Sequence, residues 1–400
     1  MLLVWGLFCA ALAALSLWPP RRHGLLGAAA FFPGWLISEL PWHTALGWSG
    51  VAMFLAWLAK PLDAADLAGL ALVAIAMLAL LAHARSVRHT HSSLGEALAA
   101  HGLAVEQPAA VGLRRLAAIA PSLPPGVTRL RNLRYGPAGR RNALDIWRPV
   151  AASPTPRPAL LYVHGGAWVI GDKEMQGLMT VHELAAAGWV CFSMNYRLSP
   201  RATYPDQLDD VKAAIAWIRA HGAEYGADPS FLVLAGGSAG AHLASLAALT
   251  LAGDPATRVA GCVAYYGVYD LSEDGDSPTA DFRRQFLERM VFKRRHRDDP
   301  APFVAASPIA QITPDAPPFF VLHGERDTMV PVDQARRFVA RLREVSRAPV
   351  TYAELPGAQH AFEIFVSPRS AAAVSAVRRW CQSLAAQRLR APVEIDVPSD

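Results

Sequence analysis

The sequence predicts an α/β protein: a mostly parallel sheet flanked by helices, with a small cap insertion, preceded by an N-terminal transmembrane helical region. Three observations lead there. From Val127 onward short apolar runs alternate with helical stretches, the pattern of strands covered on both faces. Before that, from Met1 to Ala84, the only charged residues are Arg21, Arg22, Glu39, Lys60, Asp63 and Asp66, with long apolar runs between them. Third, Gly236-Gly237-Ser238-Ala239-Gly240 follows an apolar run and opens a small-residue helix, which places a serine at a sharp strand-to-helix turn.

The N-terminal part accounts for the high hydrophobic content, 52% of the 400 residues. Met1 to Trp18, Ala45 to Ala59 with its flanks and Leu67 to Ala84 each approach the roughly 17–25 residues that cross a bilayer as helix. Leu25 to Leu40 is shorter and contains Pro33-Gly34, so it reads as an interfacial or re-entrant piece or as a span. No Lys or Arg precedes the first run, which favours an anchor over a cleaved signal peptide. Trp5, Trp18, Trp35, Trp42, Trp48 and Trp57 lie mostly near run ends, where aromatic rings favour the headgroup level. Residues 1–88 are therefore expected in a membrane, with about three spans. Three spans place Arg21, Arg22 and the Arg85 to Arg88 cluster on one, cytoplasmic, side, and four would put the rest of the chain outside. The expectation taken is an integral membrane protein whose main domain faces the cytoplasm.

Residues 89–126 read as a linker with helix, ended by Pro121, Pro124, Pro125 and Gly126. The main domain runs over 127–390 and leaves a tail at 391–400. Val127 to Tyr135 and Ala143 to Trp147 read as a hairpin. Strands follow at Ala159 to Val163, Val190 to Asn195, Phe231 to Ala235, Val259 to Tyr265, Phe319 to Leu322 and Val350 to Glu354. Leu208 to Ala220, Ala239 to Leu251, Gln334 to Val345 and Ala371 to Ala385 read as helices. Leu271 to Pro308 is a cap insertion of about 271–308, with apolar Phe282, Phe286, Leu287, Met290, Val291 and Phe292 beside basic Lys293 to Arg297. The apolar members suit an acyl pocket, or simply a packed cap helix. The basic run suits anionic headgroups.

Cys9, Cys191, Cys262 and Cys381 sit in apolar contexts and read as small core residues. No metal-ligand spacing or cofactor motif is seen, and His89-Thr90-His91 reads as a solvated turn. The net charge of +5 is mixed in sign without an aromatic-interleaved basic patch, so nucleic acid is not suggested as a partner.

Ser238 is the candidate nucleophile, since only very small residues two positions away avoid a clash in such a turn. Its partners are sought on loops beyond strand carboxyl ends. His323-Gly324-Glu325-Arg326-Asp327 supplies Asp327, and Gly357-Ala358-Gln359-His360 supplies His360. Ser, Asp, His is the chain order such sites use. His164-Gly165-Gly166-Ala167-Trp168 follows an earlier strand, so the N–H groups of Gly165 and Gly166, with that of Ala239, are candidate donors to an oxyanion. His182, His221 and His242 read as packing or surface residues.

Together these four motifs, with Asn195 to Pro200 and Asp228-Pro229, resemble the α/β-hydrolase fold and, within it, the hormone-sensitive-lipase-like carboxylesterases, over about Val127 to Gln387. The resemblance implies a serine carboxylesterase or lipase that acts on small-molecule or lipid esters through an acyl-enzyme and needs no cofactor. An amide hydrolase of arylformamidase or peptidase type, or an acyltransferase, would use the same triad. Ala167 stands where many members have a third glycine, Gly237 where many have Asp and Ala241 where many have Gly. His-Gly-Gly-Ala-Trp loops also occur in arylformamidase relatives. Membrane-anchored esterases with several N-terminal helices are known in the group.

Overall fold

The structure is a computed structural model that describes residues 1–20, 24–104, 119–272 and 278–390. The expected Arg21 and Arg22, part of the 89–126 linker and the 391–400 tail lie outside those residues.

Within the described residues one eight-stranded sheet forms from β1 (Val127–Arg134), β2 (Ala143–Pro149), β3 (Arg157–Val163), β4 (Val190–Met194), β5 (Ala227–Gly237), β6 (Gly261–Tyr265), β7 (Phe319–Gly324) and β8 (Val350–Leu355). Its order is β1-β2-β4-β3-β5-β6-β7-β8. β1 and β2 form the expected antiparallel hairpin, β2 and β4 are also antiparallel, and every pairing from β4 through β3 to β8 is parallel. Alternate residues feed two cores. Leu161 and Val163 of β3 join the helices α6 (Asp206–His221), α7 (Ala239–Thr250) and α10 (Val332–Val345). Leu160 and Tyr162 point the other way, onto α5 (Leu178–Ala186) and α11 (Pro368–Arg390). Both faces of each central strand are thus dry, which is why these strands carry unbroken apolar runs.

Register brings the functional loops level. Val163 pairs with Gly236, so the loops after β3 and β5 leave the sheet at one height. His323 pairs with Glu354 and Gly324 with Leu355, so the loops after β7 and β8 do the same.

The N-terminal residues form α1 (Leu2–Leu17), α2 (Gly24–Glu39), α3 (Pro41–Leu58) and α4 (Ala64–Ala99). Three spans are expected from the sequence. Among the described residues one helix, Ala64–Ala99, is long and apolar enough to cross a membrane. α1, at 16 residues, falls short of the about 20 that a bilayer needs. α3 reaches 18 but dilutes its apolar run with Trp42, His43, Thr44 and Ser49. α2 is helical straight through Pro33 instead of breaking there. Its inner face is fastened to the α/β domain: Trp35 Nε1 donates to the Ala361 carbonyl at 2.9 Å, and Gly34 lies against Gln359. Tertiary contacts of this kind outweigh the single backbone bond that a proline removes.

Helix α4 also crosses the expected boundary at residue 88. Leu94 and Leu98 are fully buried in the cluster that contains Trp147, Leu160 and Trp380. At its other end α4 meets α1 so closely that a methyl group on Gly69 would lie 2.3 Å from the Leu2 carbonyl carbon. Glu39 and Arg369, both without exposed side chain, form an ion pair between α2 and α11.

In the cap, α8 (Pro278–Phe286) runs into a π-helical turn, Leu287–Phe292, followed by α9 (Ala301–Ala305). Val291 and Phe292 pack into the core, Phe292 stacking on Phe303 with centroids 4.1 Å apart. The Phe282 side chain lies outside what is described.

Candidate active site

β5 ends in Gly236-Gly237 and α7 starts at Ala239, leaving Ser238 alone in the turn with φ 57 and ψ −121. That backbone is costly for any residue with a side chain, and it persists because the surroundings allow nothing else. A methyl group at Gly236 would lie 2.5 Å from the Gly240 backbone, and one at Gly240 would lie 2.0 Å from the Val163 carbonyl oxygen. Both flanking glycines are therefore steric requirements of the elbow.

His360 and Asp327 arrive at this point from the loops after β8 and β7. His360 Nε2 lies 2.8 Å from Ser238 Oγ, and His360 Nδ1 lies 2.6 Å from Asp327 Oδ2. An ionised Asp327 accepts a hydrogen bond from Nδ1–H, which leaves Nε2 as the acceptor for the serine hydroxyl. The Met329 and Val330 N–H groups donate to Asp327 Oδ1, each at 2.8 Å, and His323 Nε2 stands 3.2 Å from Oδ2. Burial pushes the Asp327 carboxyl up, but the His360 ring and the bonds from His323 and His360 outweigh it, so the group is held well below the usual carboxylate range. His323 belongs to the motif that yields Asp327, but its reach back onto the carboxylate depends on the loop's curl and is invisible in spacing.

The loop after β3 turns through positive φ at Gly166 (109), Ala167 (52) and Trp168 (61). A methyl group on Gly166 would lie 2.2 Å from the Ile170 carbonyl oxygen. Among the described residues, the Gly166 and Ala239 N–H groups meet no acceptor. Gly165 differs from the expectation: its N–H donates to the Gln176 side-chain oxygen. Gln176 Nε2 is 3.4 Å from the Tyr266 hydroxyl, which donates to Glu363, and Tyr162 donates to the other Glu363 oxygen at 3.1 Å. The Tyr266 ring also packs against His360, with centroids 4.5 Å apart. Gln176, Tyr162, Tyr266 and Glu363 belong to no motif, and sequence reading passes over all four. Burial lowers the His164 imidazole to about 4, so it is neutral, and its ring stacks on Tyr196. His242 is occupied by Trp168 Nε1 at 3.2 Å and by the Ala306 carbonyl at 2.7 Å, a packing role.

A cleft of about 260 Å3 opens over Ser238 and His360. Ala167, Trp168, Val268 and Leu271 line it beside Phe286 and Leu287 of the cap, and so does Ala28 of α2. The basic cap run faces a separate groove, with Arg294 paired to Asp299 and Arg297 to Asp298.

Comparison with known proteins bears on this geometry. The family model BD-FAE matches residues 144–342. The chain is 40% identical over 385 residues to the probable carboxylic ester hydrolase LipM of Mycobacterium tuberculosis, covering 90% of this chain and 88% of LipM. Esterase LipQ of the same organism is 46% identical over 267 residues, covering 64% and 63% of the two chains. Among solved structures, esterase B from Lactobacillus rhamnosis superposes with a TM-score of 0.57 at 22% identity, over 75% of this chain and 98% of that one, a likeness of fold. The LipM match extends over more of the chain than the segment from Val127 onward supplies, so it takes in N-terminal helices as well. By these relatives and this sheet, the chain belongs to the hormone-sensitive-lipase-like carboxylesterases of the α/β-hydrolase fold and is an enzyme that hydrolyses carboxylic ester bonds.

Proposed function

We propose that the protein is a membrane-held serine carboxylesterase or lipase in which Ser238 is the nucleophile, His360 the general base and Asp327 the carboxylate that orients it. One observation carries this reading: the unbroken relay from Ser238 Oγ to His360 Nε2 at 2.8 Å and from His360 Nδ1 to Asp327 at 2.6 Å. His360 takes the Ser238 proton as Oγ attacks the ester carbonyl carbon. The carbonyl oxygen becomes an oxyanion, which accepts from the free N–H groups of Gly166 and Ala239. The Gly165 N–H is engaged by Gln176, so Gly165 acts by shaping the loop. His360 then gives its proton to the departing alcohol oxygen and the acyl–oxygen bond breaks, leaving the acyl group on Ser238. Water, deprotonated by the same imidazole, attacks the acyl carbon, and the acid leaves as Ser238 regains its proton. Asp327 remains a carboxylate throughout, fixing the tautomer and balancing the imidazolium.

Membrane attachment is supported by the character of the N-terminal layer. Its outward side exposes Leu25, Leu26, Phe32, Leu46, Met53, Phe54 and Trp57, while α4 has spanning length. Arg85 and Arg88 follow the apolar half of α4, and the positive-inside tendency then puts the α/β domain on the cytoplasmic side.

The test is Ser238→Ala in the full chain, assayed with p-nitrophenyl esters. Turnover is expected to fall by about 10⁶-fold, the scale seen when a triad serine is removed, and the variant should take no label from a fluorophosphonate. Labelling at another residue, or turnover near the parent rate, removes the assignment.

A further inference from the structure

The N-terminal helices do more than hold the enzyme at a surface. Ala28 of α2 lines the same cleft as Ser238 and His360. One turn further along, Phe31 meets the His360 ring edge-on, with centroids 6.0 Å apart. Trp35 then bonds to the Ala361 carbonyl and stacks on Phe365 at 4.4 Å. Gly27 lies beside Thr328, itself a lining residue: a methyl group there would be in contact with the Thr328 carbonyl oxygen at 3.4 Å. The cleft is thus closed on one side by the cap and on the other by a helix from outside the α/β domain.

α2 also exposes Leu25 at 73%, Leu26 at 63% and Phe32 at 62%, with Leu25 and Phe32 one helical turn to either side of Ala28. Within the loop after β3, Ile170 and Met175 are each 63% exposed. Apolar side chains are thus exposed both on the helix that lines the cleft and on the loop that carries Ala167 and Trp168. The cleft itself, at about 260 Å3, falls below the about 300 Å3 at which small-molecule sites begin. A cleft of this size takes the reacting end of an ester, and a longer chain would extend past Ala28 toward the apolar residues that α2 exposes.

We infer that α2 is a wall of the substrate site, and that the cleft takes the ester end of a long-chain lipid which stays dissolved in the bilayer while Ala28 limits what enters beside Ser238. This inference rests on the esterase reading above and deepens it to a substrate class. It makes Ala28 a specificity-determining residue supplied by the N-terminal layer.

Full-length protein in phosphatidylcholine vesicles is assayed on dioleoylglycerol placed in the same vesicles and on triacetin in the aqueous phase. Hydrolysis of dioleoylglycerol is expected to dominate and to rise with its mole fraction in the bilayer, whereas a preference for triacetin overturns the inference. In parallel, kcat/KM is measured for p-nitrophenyl octanoate and acetate. Ala28→Phe fills the cleft at α2 and should lower the octanoate-to-acetate ratio by about ten-fold or more, the size of a single-group misfit in an apolar pocket. Ala28→Gly should leave the ratio at or above the parent value, and it covers the case in which the larger residue prevents folding. A ratio unmoved by a folded Ala28→Phe overturns the inference even when fluorophosphonate still labels Ser238. Loss of labelling in the parent protein would instead remove the esterase reading beneath it.

Discussion

At Gly237 a methyl group would lie 2.7 Å from the Tyr266 hydroxyl and 3.1 Å from Gln176 Oε1. Many resembling enzymes carry Asp at this point of the elbow, and here the space is already filled by the phenol and amide that connect Glu363 to the loop after β3. The choice of residue at 237 and the network behind it are therefore one arrangement. Gly237→Asp is expected to displace Tyr266, and with it the ring that backs His360. Misplacing a catalytic group by about 1 Å costs on the order of 10²-fold, so kcat for p-nitrophenyl butyrate should fall by about that factor. A parent-like kcat would separate the network from catalysis. This is also where legibility divides. The convergence of Ser238, Asp327 and His360 is readable because a tight strand-to-helix turn and two strand-end loops leave local marks in sequence. Gln176 and Glu363 lie far apart in the chain and are joined through Tyr266 only by the pairing that carries β3, β5, β6, β7 and β8 side by side, which no local pattern records. The Gly165 N–H is lost to Gln176 for the same reason.

The apolar runs at the start of the chain announce helices, and helices form, but hydropathy alone does not say which side of each is turned inward. α2 shows the consequence. Its composition resembles a lipid-facing segment, yet Ile37 is buried among the other N-terminal helices, and Ser38 and Glu39 are buried against Arg369 and Ser367 of the α/β domain. Glu39 has two polar partners there, Arg369 and the Ser367 hydroxyl at 3.1 Å. Arg369 Nη2 in turn donates to Ser86 Oγ of α4 at 2.7 Å. Three elements thus share one buried charge pair. Replacing such a pair by apolar residues can be neutral, whereas removing one partner leaves a buried charge alone and costs about 3–5 kcal/mol. Glu39→Ala is accordingly expected to lower the thermal unfolding temperature measurably in detergent, and Glu39→Ala with Arg369→Leu to recover much of that loss. If the single variant melts with the parent, the pair is not what fastens α2 to the domain. The continuation of α2 through Pro33 belongs to the same argument, because Trp35 and Glu39, both after the proline, hold the helix from the inside.

Across the whole molecule a mostly parallel sheet with helices on both faces is legible, since strand and helix alternate along the chain, while the order of its strands and the joint between the two halves are not. A boundary at residue 88 treats the N-terminal part as an attachment, but α4 is a single helix of about 54 Å at 1.5 Å per residue, well beyond the about 30 Å of a hydrocarbon core. Its excess length is spent against β8 and α11, with Leu94 and Leu98 inside the core. Fully burying two leucines contributes about 3–6 kcal/mol. Losing them together with the Glu39–Arg369 pair approaches the about 5–15 kcal/mol that holds a domain folded. A truncated chain beginning at Pro121 is therefore expected to aggregate without detergent and to lack esterase activity, even though it keeps Ser238, Asp327, His360 and all eight strands. Size-exclusion chromatography and a p-nitrophenyl butyrate assay check this together. A monomeric, active fragment would mean that the α/β half folds and works alone, and that the N-terminal helices lean on a site already complete.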